Sequence, residues 1–290
     1  MCFILCSLVF GLVIGSFLNV CIYRIPEDKS LFFPGSTCPY CGRSIKWYDN
    51  IPLISYLILR GRCRFCKGRI SPIYPVVEAL TGFLFGSLFY YFIILRHEPF
   101  YICLIYAGLG CALIICTFVD LKLRIIPNEV TYTGLALAPI LSFTFPELHH
   151  FQGKLRCFTI TENPRIDALA ASFLGIVVAG GLIFLTGIVA KAILKREAMG
   201  FGDVKLMGMV GGIIGWKLGI VAFFIAPFFG LLMGIPMLIL KKANIIPYAP
   251  FLSLASLICI YLQDFFISSI NSYIDLYNQI LVSLISRTTT

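Results

Sequence analysis

The sequence predicts an all-α polytopic membrane protein of about eight transmembrane helices, with a small zinc-knuckle loop domain on the cytoplasmic side. Composition is the first observation. Of 290 residues, 59% are hydrophobic and 13% charged, and the mean hydropathy is +0.93, too apolar for a soluble globular chain. Spacing is the second, because short polar breaks separate apolar stretches near the roughly 20-residue length that crosses a bilayer. Charge distribution is the third. A net charge of +9 would suit a nucleic-acid partner, yet the basic residues concentrate in short loops on one side of a membrane topology. Membrane lipid, and not nucleic acid, is therefore the expected partner.

Residues 1–23 form the first expected span, read as an uncleaved anchor because Cys2 to Tyr23 lacks a basic leader and a small-residue cleavage site. Residues 24–72 form a basic four-cysteine loop carrying nine of the 23 Lys and Arg, which assigns it to the cytoplasm. Residues 73–267 form the membrane core, with helices expected near 75–95, 100–119, 128–145, 167–190, 204–215, 217–240 and 247–267. Alternation puts Lys122, Arg124, Lys191, Lys195, Arg196, Lys205, Lys241 and Lys242 on the cytoplasmic side too. The outer loop from Glu147 to Asp167, with Lys154, Arg156 and Arg165, runs against the bias. The piece 204–215 is too short to span at about 1.5 Å per residue. Gly11 and Gly15, Gly82 and Gly86, Gly208 and Gly212, Gly211 and Gly215, and Gly230 and Gly234 are spaced for close helix contact. Residues 268–290 are expected to form an interfacial amphipathic tail, with Ile270, Tyr273, Ile274, Tyr277, Leu281, Leu284 and Ile285 on one stripe.

Within the basic loop stand Cys38-Pro-Tyr-Cys41-Gly42 and Cys63-Arg-Phe-Cys66-Lys-Gly68. Two residues between cysteines let one tight turn offer both sulfurs to a single ion, and two such turns complete a tetrahedral site whose default ion is zinc. A four-thiolate site has no open position, so its expected job is structural. Two disulfides are the competing arrangement, disfavoured by the reducing compartment that the charge bias implies. Gly42 and Gly68 are expected at positive φ after each knuckle. Of the other cysteines, Cys2, Cys6, Cys21, Cys103, Cys111, Cys116 and Cys259 fall in apolar runs as packing residues, and Cys157 is the exception.

Only 14 residues are acidic, and Asp120 and Asp203 both fall at membrane boundaries on the cytoplasmic side. Asp120 ends the apolar run Ile114-Ile-Cys-Thr-Phe-Val-Asp120, where a carboxylate is costly and usually purposeful. Asp203 follows Met199-Gly-Phe-Gly202, whose glycines allow close backbone approach. Two carboxylates brought together do not both ionise readily: one keeps its proton while the other acts as base on water, which is aspartic-protease chemistry. Each also has a plainer reading. Asp120 would pair with Lys122 or Arg124, and Asp203 would cap the helix it begins. Glu78 and Glu129 are set aside because no glycine turn accompanies them, and His97, His149 and His150 are expected in solvated outer loops.

Together these motifs resemble the type IV prepilin peptidases, bifunctional leader peptidases and N-methyltransferases of bacterial inner membranes. The resemblance rests on Gly15-Ser-Phe-Leu-Asn19-Val, the cysteine knuckles, Trp47-Tyr-Asp-Asn-Ile-Pro-Leu-Ile-Ser55, Tyr74-Pro-Val-Val-Glu78-Ala-Leu-Thr-Gly82, Asp120 with Ile126-Pro-Asn128, and Gly200-Phe-Gly202-Asp203-Val-Lys205, in that order. It implies that Asp120 and Asp203 are the catalytic pair, the latter in the Gly-x-Gly-Asp pattern shared with presenilin-like peptidases. Asn128 stands where many members carry Asp, which removes a third carboxylate and leaves the pair. The implied substrate is a prepilin or pseudopilin whose short basic leader, ending in glycine, stays cytoplasmic. The implied methyl donor is S-adenosylmethionine, although no nucleotide-binding glycine motif is present. Two readings of other classes stand beside this one. One is a metal-stabilised assembly factor without catalysis. The other is a transporter using Asp120 and Asp203 as ion sites, which would usually break two matching helices where this chain has one short segment.

Overall fold

A computed structural model describes residues 2–152, 163–195, 199–239 and 247–288. Among the described residues the regular structure is helical, and strand pairing is limited to two isolated bridges, Thr37 with Ser44 and Arg62 with Arg69. The chain divides into two compact units, residues 1–131 and 132–290.

The first unit holds α1 (Cys2–Arg24), a short α2 (Ile54–Ile58), α3 (Ile73–Leu88), which runs on through a π-helical turn at Phe89–Leu95, and α4 (Phe100–Leu123). Glycine lets α1 and α3 meet backbone to backbone. A Cβ on Gly15 would stand 2.7 Å from the Glu78 Cα, and one on Gly11 would stand 2.8 Å from the Thr81 carbonyl oxygen. The gap is closed to van der Waals distance, which is how helices adhere where lipid offers no hydrophobic drive. Ser7 Oγ adds a bond to the Phe85 carbonyl at 3.0 Å. α4 completes the unit, with Phe92 stacked on Tyr106 at 4.9 Å and Ile102, Leu113, Cys116 and Val119 buried.

The second unit holds most of α5 (Asn128–Thr144), then α6 (Pro164–Leu194), α7 (Phe201–Ile214), α8 (Trp216–Ile239), α9 (Ala249–Tyr261) and α10 (Gln263–Thr288). Every residue of α7 from Leu206 to Ile214 is buried. Its glycines explain how: a Cβ on Gly211 would stand 2.6 Å from the Ala179 Cβ of α6, and Ser172 Oγ of α6 donates to the Gly212 carbonyl at 2.9 Å. Gly175 of α6 abuts the Gly211 carbonyl from the other side, a partner that four-residue glycine spacing did not single out.

Among the described residues five helices have the length and apolarity to cross a membrane, and a sixth span arises if α9 and α10, bent by 80° at their junction, count as one. The expected eight is not reached on these criteria because α5 has 17 residues and contains Pro139, and α7 has 14. One expectation is corrected outright. His149, placed above in a solvated loop, is buried, because a 3-10 turn at Pro146–Gln152 folds against the end of α5 and brings its Nε2 within 2.9 Å of Ser142 Oγ. Burial pushes the imidazole pKa down to about 4. His97 is exposed as expected. Lys154, Arg156, Cys157, Arg196, Lys241 and Lys242, and the side chains of His150, Leu281, Leu284 and Ile285, lie outside the described residues.

Candidate active site and metal centre

The two cysteine knuckles are built alike. In the first, the Cys38 N–H donates to Arg43 O at 2.9 Å and the Gly42 N–H to Cys38 O at 2.9 Å; in the second, the Cys63 N–H donates to Gly68 O at 2.8 Å and the Lys67 N–H to Cys63 O at 3.0 Å. The flanking bridges, Thr37 with Ser44 and Arg62 with Arg69, close each turn at its neck. Gly42 takes the expected left-handed φ of +67°, but in the second knuckle Lys67 takes it, at +58°. The residue after the second cysteine occupies that position, and Gly68 comes one place later. Gly68 answers to space instead, since a Cβ there would stand 2.6 Å from Tyr40 Cδ2.

These turns bring the Sγ atoms of Cys38, Cys41, Cys63 and Cys66 within 4.8 Å of one another, with Cys38 and Cys66 at 3.8 Å. A tetrahedral zinc tetrathiolate with bonds of about 2.3 Å sets its sulfurs about 3.8 Å apart. The cluster therefore fits a metal ion as it stands. The backbone N–H groups of Cys66 and Phe65 point at the Cys63 sulfur and hold its pKa down to about 6; at Cys66 a Gly68 N–H also favours the thiolate, but burial and the sulfurs of Cys63, Cys38 and Cys41 outweigh it and push the thiol up to about 11. Arg64 grips Asp49 through Nε and Nη2, with the shortest contact at 2.6 Å, and pins the Trp47–Asp49 turn to the second knuckle.

Asp120 lies in the last turn of α4 and is 6% exposed. Arg124 follows in a left-handed conformation and returns its N–H to the Asp120 carbonyl at 2.9 Å, so the helix stops just beyond the carboxylate. Lys122 lays its ammonium 3.9 Å from the Tyr23 ring centre, and Tyr23 stacks on Tyr74 at 5.3 Å. The same end of this unit contains two buried polar groups. Asn19 of α1 donates to the Tyr74 carbonyl at 3.1 Å, and Glu78 of α3 accepts the Leu53 N–H at 2.8 Å. Glu78, set aside above as a catalytic candidate, has a structural place here, holding the Leu53 amide.

In the second unit Asp203 sits in the first turn of α7 and accepts the Gly200 N–H on Oδ2 at 3.3 Å. The plainer capping reading is thus present in the geometry, and it orients the carboxylate. Lys205, two residues on, places its ammonium 4.7 Å from the Tyr132 ring centre and 5.6 Å from that of Phe201. Tyr248, just ahead of α9, has a buried hydroxyl with no hydrogen-bond partner among the described residues. Burial, and secondarily the Asp203 charge, push that phenol up to about 12. No pattern in the sequence pointed to Tyr248.

A polytopic helical membrane protein with a four-thiolate loop, and with aspartates at the ends of α4 and α7, is the class these features define. Comparison with known proteins is specific. A model described as the bacterial peptidase A24 N-terminal domain matches residues 9–92, and the model of the type IV leader peptidase family matches residues 107–235. Similar curated proteins, each named prepilin leader peptidase/N-methyltransferase, come from Myxococcus xanthus, Stutzerimonas stutzeri and Bacillus subtilis. The first is 36% identical over 80% of this chain and 62% of that protein, so the match spans under two thirds of its length. The second is 30% identical over 90% of this chain and 91% of the relative, and the third is 31% identical over 90% and 94%. No solved structure matches. The chain belongs to the type IV leader peptidase family.

Proposed function

We propose that this chain cleaves the leader from type IV prepilins or pseudopilins at the cytoplasmic face of a bacterial inner membrane, with Asp120 and Asp203 as the catalytic pair. It then methylates the new N-terminus. The observation that carries the reading is that the leader-peptidase match, residues 107–235, contains both aspartates, each at a helix end. In the reaction one carboxylate takes a proton from the water that attacks the scissile carbonyl. Its partner, protonated, donates to the developing oxyanion, and the proton count closes when the leaving amine is protonated as the C–N bond breaks.

Residues 24–72 act as the cytoplasmic loop, 73–267 as the peptidase core and 268–290 as an interfacial tail. Zinc held by Cys38, Cys41, Cys63 and Cys66 ties two distant turns into one unit and takes no part in hydrolysis. S-adenosylmethionine is the methyl donor that the names of the relatives imply, and no residue here is assigned to it.

The test is incubation of the purified protein with a synthetic prepilin, with and without S-adenosylmethionine, reading product masses. Wild type should cleave and show a donor-dependent gain of one methyl group, while Asp120→Asn and Asp203→Asn should retain metal and membrane insertion but not cleave. Absence of cleavage by folded wild type would return the chain to the transport or assembly readings.

A further inference from the structure

α2 and the turn after it are built unlike the rest of the loop. Ile54, Leu57 and Ile58 stand one helical turn apart on a single face, and they are 54, 72 and 70% exposed. Arg60 and Gly61 then take consecutive left-handed conformations, with φ of +51° and +66°, and reverse the chain. The reversal sets Ile58, Leu59, Arg60, Arg62, Arg64 and Lys67 around one open concavity. Arg64 is held by Asp49, and Arg60, Arg62 and Lys67 are exposed. An apolar face backed by cations is the composition of a segment that lies in a membrane interface.

A hydrogen bond ties its start to a span. Leu53, which begins α2, donates its N–H to Glu78 Oε2, and Glu78 lies five residues inside the span that starts at Ile73, roughly 7 Å along the helix axis. The loop is also tied at both ends to spans, at the end of α1 and the start of α3, so the bilayer surface is always within reach. Between residues 24 and 69 nine Lys and Arg face three acidic residues, Glu27, Asp28 and Asp49, and two of those three are already in ion pairs.

We propose that α2 and the turn behind it form a docking site for anionic phospholipid headgroups of the same bilayer that α1 and α3 cross. Ile54, Leu57 and Ile58 enter the headgroup region, and Arg60, Arg62 and Lys67 bind lipid phosphates. The cysteine knuckles are then held against the membrane surface rather than left free above it.

The experiment reads amide exchange over residues 53–70 of the full chain, loaded with its metal, in nanodiscs. One set contains phosphatidylcholine alone and the other about one quarter phosphatidylglycerol. Exchange should slow about fivefold or more in the anionic discs. The protection should vanish in roughly 0.5 M salt and in the triple variant Arg60→Gln, Arg62→Gln, Lys67→Gln. Equal exchange in the two lipids, or protection that survives the triple variant, overturns the proposal. Exchange across α3 reports whether the variant is folded; if it is not, the wild-type lipid comparison decides alone. Because no cleavage is read, the outcome is independent of the peptidase assignment.

Discussion

Leu53 donates its backbone N–H to Oε2 of Glu78 across 2.8 Å, from a conformation of φ +59° and ψ −49° that a leucine seldom adopts. The carboxylate is buried and helps hold that strained backbone in place. Glu78→Ala should therefore release the Trp47–Ile58 segment, with a loss of about 1 to 3 kcal/mol from the orphaned amide. Amide exchange at residues 50–58 would quicken in this variant. Glu78→Gln keeps an acceptor and should recover most of the protection. Equal exchange in Glu78→Ala and wild type would mean the bond holds nothing.

The sulfur geometry makes a second prediction. Cys63→Ser removes one of four thiolates, so metal content per chain should fall close to zero and the loop from Ser36 to Ile70 should lose exchange protection. A strong chelator should do the same to wild type. α6 and α7, which pack through Gly175 and Gly211 in the other unit, should not respond. Elemental analysis together with exchange decides this; a full metal complement in Cys63→Ser would refute a tetrathiolate site.

How much of this was legible in the sequence differs from residue to residue. The knuckles were, because a metal site is written in local spacing. The glycine contacts were half legible: Gly11, Gly15 and Gly82 of α1 and α3 follow a four-residue spacing, but between α6 and α7 Gly175 meets Gly211 as a single residue on another helix, and only the packed pair reveals it. The span count of eight is not confirmed at α5, where 17 residues and an internal Pro139 fall short of a span, whereas the shortness of α7 was already legible in residues 204–215. His149 was misjudged, and the structural bond of Glu78 to Leu53 was not foreseen. Burial of a polar side chain depends on what it is folded against, here the Leu53 turn for Glu78 and the end of α5 at Ser142 for His149, and no periodic pattern announces either contact.

The buried His149 makes the second unit sensitive to acid. Its folded pKa of about 4 lies below the ordinary value of about 6.5. The neutral ring is therefore favoured in the folded state, and its contribution is present above pH 6.5 and lost as pH falls towards 4. His149→Gln keeps a hydrogen-bonding group near Ser142 and does not titrate. Between pH 7 and 5 the melting temperature of wild type should drop more than that of the variant. Parallel curves would show that His149 is not the group being charged.

Tyr248 offers the sharpest separation of stability from activity. A buried hydroxyl with no partner among the described residues costs stability, so Tyr248→Phe should melt at the same temperature as wild type or slightly above it. The same hydroxyl stands near enough to Asp203 to feel its charge, and a donor with no partner among the described residues can serve a substrate carbonyl. Cleavage by the variant should then slow by about 10-fold or more in kcat, with KM little changed, since the bond would form only as charge develops on the oxygen. Kinetics and calorimetry on the same preparation distinguish the cases. A variant that is both less stable and slower points to packing, and one that is equally fast leaves Asp203 without help from Tyr248.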